Sequence, residues 1–96
     1  MWKDLFLPNR IGSEDGLVLR DEEYDDACRV TLERCPDHYA VTFGIYGAMA
    51  QTAFCGEEDH DDVYEAIKKE LEDFFNRKTT PEEDLAFYEH LVDTYY

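Results

Sequence analysis

Hydrophobic positions in this chain follow two periods, and the period changes at Gly56. Before it, apolar residues recur at every second position, as in half-buried strands; after it they recur every three to four, as in amphipathic helices. The seventeen residues from Tyr39 to Cys55 contain no Asp, Glu, Lys or Arg. In a chain that is 34% charged, this stretch marks the core. Tyr46-Gly47 divides it, because an X-Gly pair between apolar runs suits a two-residue hairpin whose second position takes positive φ. With Ile45 opposite Ala48, one face collects Tyr39, Val41, Phe43 and Ile45 with Ala48, Ala50, Thr52 and Phe54. The other face is uncharged and collects His38, Ala40, Thr42, Gly44, Met49, Gln51, Ala53 and Cys55. The first is the expected core face. Of the second, His38, Ala40, Thr42, Gly44, Met49, Gln51 and Ala53 form the expected binding surface. A one-residue slip would exchange them.

Upstream, Leu17 to Glu23 and Ala27 to Arg34 read as strands. Cys28, Val30 and Leu32 share a side, and a turn at Pro36-Asp37 with an even number of residues sets them opposite Ile45, Phe43 and Val41. Turn chemistry and hydrophobic pattern agree on that register. A turn at Asp25-Asp26 sets Leu19 opposite Leu32 and Glu22 opposite Arg29. It also puts Asp21 and Glu23 on the core side, so either the sheet overhangs its cover or the turn is longer. Leu5 to Leu7 read as a short strand or an apolar plug ahead of Pro8, and Asn9 to Gly16 as a loop.

Downstream, Val63, Ile67, Leu71 and Phe74 or Phe75 line one face of a helix. Thr80-Pro81-Glu82-Glu83 opens a second with an N-cap threonine, proline at the first helical position and glutamate at the third, a capping box. Its apolar stripe reads as Leu85, Tyr88, Leu91, Val92 and Tyr95. The expected fold is α+β, with a four-stranded antiparallel meander sheet over about 17–55 and two C-terminal helices, about 59–77 and 81–94, packed on one face. Residues 1–96 are expected to form one domain, with 1–16 a segment that either docks on the uncharged face or stays free.

Charge narrows the partner classes. The formal net charge is −15 and the sequence pI about 4.3, which repels phosphate backbones and favours basic partners. High aromatic content argues against disorder. No signal-peptide pattern and no membrane-length apolar run is visible, and three cysteines suit no disulfide framework, so a reducing, cytoplasmic address is expected.

Candidate chemistry is sparse. The acidic run from Glu57 to Asp62 resembles a hard-cation site only loosely, since Val63 and Tyr64 fall where a calcium loop needs a ligand and a glycine. Acids also gather at helix N-termini because the dipole favours them. On the expected register Cys35, His38 and Cys55 lie side by side on the uncharged face with His60 nearby, a set of zinc-ligand types or a thiol beside an imidazole. Acidic surroundings work against a reactive thiol, and buried cysteines commonly serve as small hydrophobes. No phosphate loop, nucleophile elbow or zinc-protease helix is present. Tyr95-Tyr96 serves either as packing or as an aromatic anchor for a partner. The functional expectation is a small acidic, non-catalytic protein-binding domain, of an inhibitor or immunity type, that holds a basic partner and uses no cofactor. The alternatives are a homodimer paired through the uncharged face and a zinc or thiol site at Cys35, His38 and Cys55, which carries the only enzymatic reading.

Overall fold

The computed structural model describes residues 1–95 and shows an α+β arrangement of one sheet and two helices. Five antiparallel strands follow one another as a meander: β1 (Trp2–Asp4), β2 (Leu17–Tyr24), β3 (Cys28–Arg34), β4 (Tyr39–Ile45) and β5 (Met49–Cys55). Helices α1 (His60–Phe75) and α2 (Pro81–Thr94) cover one face. The sheet has one strand more than the four expected, because Trp2–Asp4 pairs with Glu22–Tyr24. Phe6 and Leu7, read as strand or plug, are exposed instead.

The β3–β4 register is the expected one, with Cys28 opposite Ile45, Val30 opposite Phe43 and Leu32 opposite Val41. Four residues, Cys35 to His38, connect these strands, an even number that preserves side-chain parity. Both other expected hairpins are corrected by one residue. Tyr46, Gly47 and Ala48 form a three-residue connection in which Ala48 N–H donates to the Ile45 carbonyl (2.9 Å) and Gly47 takes φ +76°. Glycine suits that left-handed position because it has no Cβ to clash. The added residue sets Ile45 opposite Met49 rather than Ala48, so Met49, Gln51, Ala53 and Cys55 join the helix-covered face. Ala50, Thr52 and Phe54, read as core, point the other way.

The same correction applies to the first hairpin. Asp25 and Asp26 both adopt positive φ (48° and 56°) and Ala27 N–H closes the turn on the Tyr24 carbonyl (2.8 Å). Tyr24 then pairs with Cys28 and Glu22 with Val30. Asp21 and Glu23 consequently leave the core side. A register shift between Val18 and Arg20 restores the earlier parity toward the strand start.

On the helix-covered face, Val30, Leu32, Val41, Phe43, Ile45 and Ala53 meet Tyr64, Ile67 and Leu71 of α1. At β2 this face turns polar, and the contact is ionic: Lys68 Nζ lies 2.8 Å from Glu22, Arg20 lies 2.7 Å from Glu65, and the Arg20 guanidinium stacks 4.0 Å over the Tyr64 ring. Helix α2 starts as expected, with the Thr80 hydroxyl accepting from Glu83 N–H (3.2 Å). Its stripe is different. Phe87 and Leu91 are buried, the Phe87 ring stacking on Phe74 at 4.3 Å, while Leu85 is 62% exposed and Val92 faces solvent. The reason is that α2 packs on α1 at its C-terminal end, so the inward arc is centred on Phe87 and Leu91 rather than on Leu85 and Val92. Tyr95 packs edge-on against Phe43 (5.9 Å); Tyr96 lies outside the described residues.

Phe87→Ala is therefore expected to cost about 3–5 kcal/mol and Leu85→Ala less than about 0.5 kcal/mol in urea unfolding. Equal losses would contradict this orientation of α2.

Candidate functional site

The sheet face away from the helices is the candidate surface. Across it run Asp21 and Glu23 of β2, Arg29, Thr31 and Glu33 of β3, Ala40, Thr42 and Gly44 of β4, and Ala50, Thr52 and Phe54 of β5. Four of the expected binding residues stay on this face, His38, Ala40, Thr42 and Gly44, but Ala40 is fully buried. Met49, Gln51 and Ala53 do not, for the parity reason given above; Gln51 instead donates through Nε2 to the Tyr95 carbonyl (3.1 Å) on the helix side.

Residues 10–16 cover only the β2–β3 half of this face. Two carboxylates that hydrophobic patterning did not assign to any site tie that loop down. Asp21 is fully buried and accepts two bonds from Arg29 (2.8 and 2.6 Å), one from Thr31 (3.0 Å) and one from Arg10. Burial opposes its charge, but the donors from Arg29, Arg10 and Thr31 outweigh burial and hold its pKa below the ordinary carboxylate value. Glu33, also fully buried, accepts from the main-chain N–H groups of Glu14 and Gly16 (both 3.1 Å). A Cβ at position 12 would overlap the Glu33 carboxyl, which is why the loop carries glycine there. The only sequence signal for this cluster was the misfit of Asp21 on an expected core face.

The β4–β5 half stays open. Thr42 and Thr52 hydroxyls lie 3.2 Å apart, Phe54 is 58% exposed, and His38 meets its ring edge-on at 5.5 Å. Toward the β4–β5 turn the surface sinks into a shallow groove of about 430 Å³ lined by Arg29, Thr31, Thr42, Gly44, Tyr46 and Ala50. The Tyr46 hydroxyl donates to Glu23 (2.6 Å) and its pKa is pushed up to about 12, by burial first and by that carboxylate second. The strand residues of this half, Ala40, Thr42, Gly44, Ala50, Thr52 and Phe54, carry no charge.

The zinc-type set is divided by the sheet. Cys35 and His38 belong to the open side, where the Cys35 thiol lies 3.8 Å from the Glu14 carbonyl and His38 bonds Asp37 (2.8 Å). Cys55 and His60 belong to the helix side: His60 stacks on Tyr39 at 3.8 Å and its Nδ1 bonds the Gly56 carbonyl (2.9 Å). The expected grouping of Cys35, His38 and Cys55 is thus corrected, since the extra turn residue moves Cys55 through the sheet. Among the described residues no three His, Cys, Asp or Glu side chains are grouped to hold a metal ion. Cys28, Cys35 and Cys55 are buried and unpaired, and burial, reinforced by nearby carboxylates, raises each thiol pKa, that of Cys28 to about 12. Such thiols are poor nucleophiles at neutral pH.

No family model, curated protein or solved structure matches the chain.

The thiols are expected to resist iodoacetamide in the native protein and to react fully in denaturant; rapid native alkylation at Cys35 or Cys55 would restore the thiol-site reading. Asp21 gives a pH signature. Its folded pKa is depressed, so its stabilisation is present above the unfolded value of about 3.9 and is lost as pH falls through the lower folded value. Asp21→Asn is expected to destabilise the protein by about 2–4 kcal/mol at pH 7 and to flatten the acid limb of the stability profile. An unchanged acid limb in urea titrations from neutral pH downward would contradict the cluster.

Proposed function

We propose that this protein is a small acidic, non-catalytic protein-binding domain that holds a basic protein partner, as inhibitor or immunity proteins do, and that it works in the cytoplasm. The observation that carries the reading is a charge asymmetry between layers. Residues 57–96, which include both helices, hold 14 of the 24 acidic residues against four of the nine basic ones, a net −10 of the total −15. The field of the molecule therefore leaves mainly from the helical side, where a basic surface gains most by approaching.

A groove of about 480 Å³ between α1 and α2 gives that field a place to act. Glu70, Asp73, Glu83 and Arg77 line it beside Phe87, with His90 bonded to Glu70 (2.6 Å). Carboxylates around an aromatic floor suit a lysine or arginine, whose head pairs while its stem packs. The same charge repels phosphate backbones, which speaks against a nucleic-acid partner. Three buried unpaired thiols suit a reducing compartment. No helix among the described residues is long and apolar enough to cross a membrane.

Affinity capture at low ionic strength tests the reading. Basic proteins should be retained and should elute as salt shortens the Debye length below about 10 Å. A variant carrying Glu82→Gln, Glu83→Gln, Glu89→Gln and Asp93→Asn should lose that retention, while Glu23→Gln on the opposite face should keep it. Retention that ignores salt, or that survives the fourfold helical variant, would sink the proposal.

A further inference from the structure

The two edges of the sheet are built differently. Strand β1 is three residues long, carries Lys3 and Asp4, and ends at once in a loop, so it offers little to a further strand. Strand β5 is seven residues long, pairs with β4 without a bulge, and contains no charge and no proline. Shortness, charge, proline and a bulge, four of the usual devices that blunt an edge, are all absent from it.

The directions of its main-chain groups follow from parity. Tyr46 N–H donates to the Ala27 carbonyl (2.9 Å) and the His38 carbonyl accepts from Cys35 N–H (2.9 Å), so even-numbered residues of β4 turn their polar groups to β3. Odd-numbered residues of β4 turn theirs to β5, where they meet odd-numbered partners. The N–H and C=O groups of Ala50, Thr52 and Phe54 therefore point outward from the free edge. Their side chains stand on the open face.

We propose that this edge pairs with the β5 edge of a second copy of the chain, antiparallel about a twofold axis at Thr52. That register joins two sheets into one of ten strands and forms about six main-chain hydrogen bonds. It is self-complementary: the exposed Phe54 of each copy falls opposite the small Ala50 of the other. The Thr42–Thr52 pair, already 3.2 Å apart, extends into a row of four threonines across the axis. Charge fits as well. The acidic run Glu57, Glu58 and Asp59 of one copy continues toward the uncharged turn Tyr46-Gly47-Ala48 of the other, so no carboxylates are forced opposite one another. A parallel pairing would set the two acidic runs side by side.

Sedimentation of the full chain across a concentration series, at low and high salt, reads out the association. It should strengthen with salt, because screening removes the repulsion between two like-charged chains, whereas capture of a basic partner weakens. Ala50→Lys should weaken it about tenfold or more, and Ala50→Pro, which removes an outward N–H, should do the same while the far-ultraviolet circular dichroism is retained. Amide exchange at Ala50, Thr52 and Phe54 should slow as protein concentration rises. A chain that stays monomeric into the millimolar range overturns the proposal. So does a dimer whose three edge amides exchange as fast as in the monomer, since that dimer would be using a different surface.

Discussion

Side-chain parity along antiparallel strands governs this molecule, and the lengths of three turns set it. An even connection between β3 and β4 keeps Cys28, Val30 and Leu32 in line with Ile45, Phe43 and Val41. Odd connections on either side then decide what those rows meet. The third residue of the β4–β5 turn, Ala48, sends Ala53 and Cys55 inward and leaves Phe54 outside. The third residue of the β2–β3 turn, Ala27, takes Asp21 out of the aliphatic core and delivers it to Arg29, Arg10 and Thr31. An aspartate in the core would have needed neutralising; beside two guanidinium groups it anchors a loop.

The fold was legible where several local signals coincided. The alternation in β3 agreed with its turn, the apolar positions after Gly56 showed helical period, and Thr80-Pro81 marked the start of α2 where it occurs. Turn length was not legible, because Tyr46-Gly47 is compatible with two-residue and three-residue connections and the neighbouring Ala48 is apolar enough for either. The β4 residues therefore keep the face expected for them, and Met49, Gln51 and Ala53 of β5 lie on the opposite one. The α2 stripe was misread since Leu85, Val92, Phe87 and Leu91 together cover too wide an arc for pattern alone to centre it. The Asp21 and Glu33 clusters depend on a loop folding back over the sheet, and no periodicity encodes that.

The two layers have divided their electrostatic tasks. On the open face Asp21 is paired with Arg29 and Arg10, whereas Glu33 meets main-chain donors of the loop through Oε1 alone, its Oε2 being buried without a partner among the described residues. Charges on the helical layer are mostly turned to solvent, with a few crossing to the sheet at Lys68–Glu22 and Arg20–Glu65. The helical layer thus carries more of the net negative charge than the sheet beneath it.

The strict neighbour-to-neighbour order of the sheet also bears on how the chain reaches this state. Every strand pair is closed by a short segment except β1–β2, so loop-closure entropy for the central hairpins is small. Packing of α1 on β3 and β4 comes from further along the chain, and that of Tyr95 on Phe43 from further still. Docking of the two helices onto the meander is thus the step that closes the longest loops of the chain.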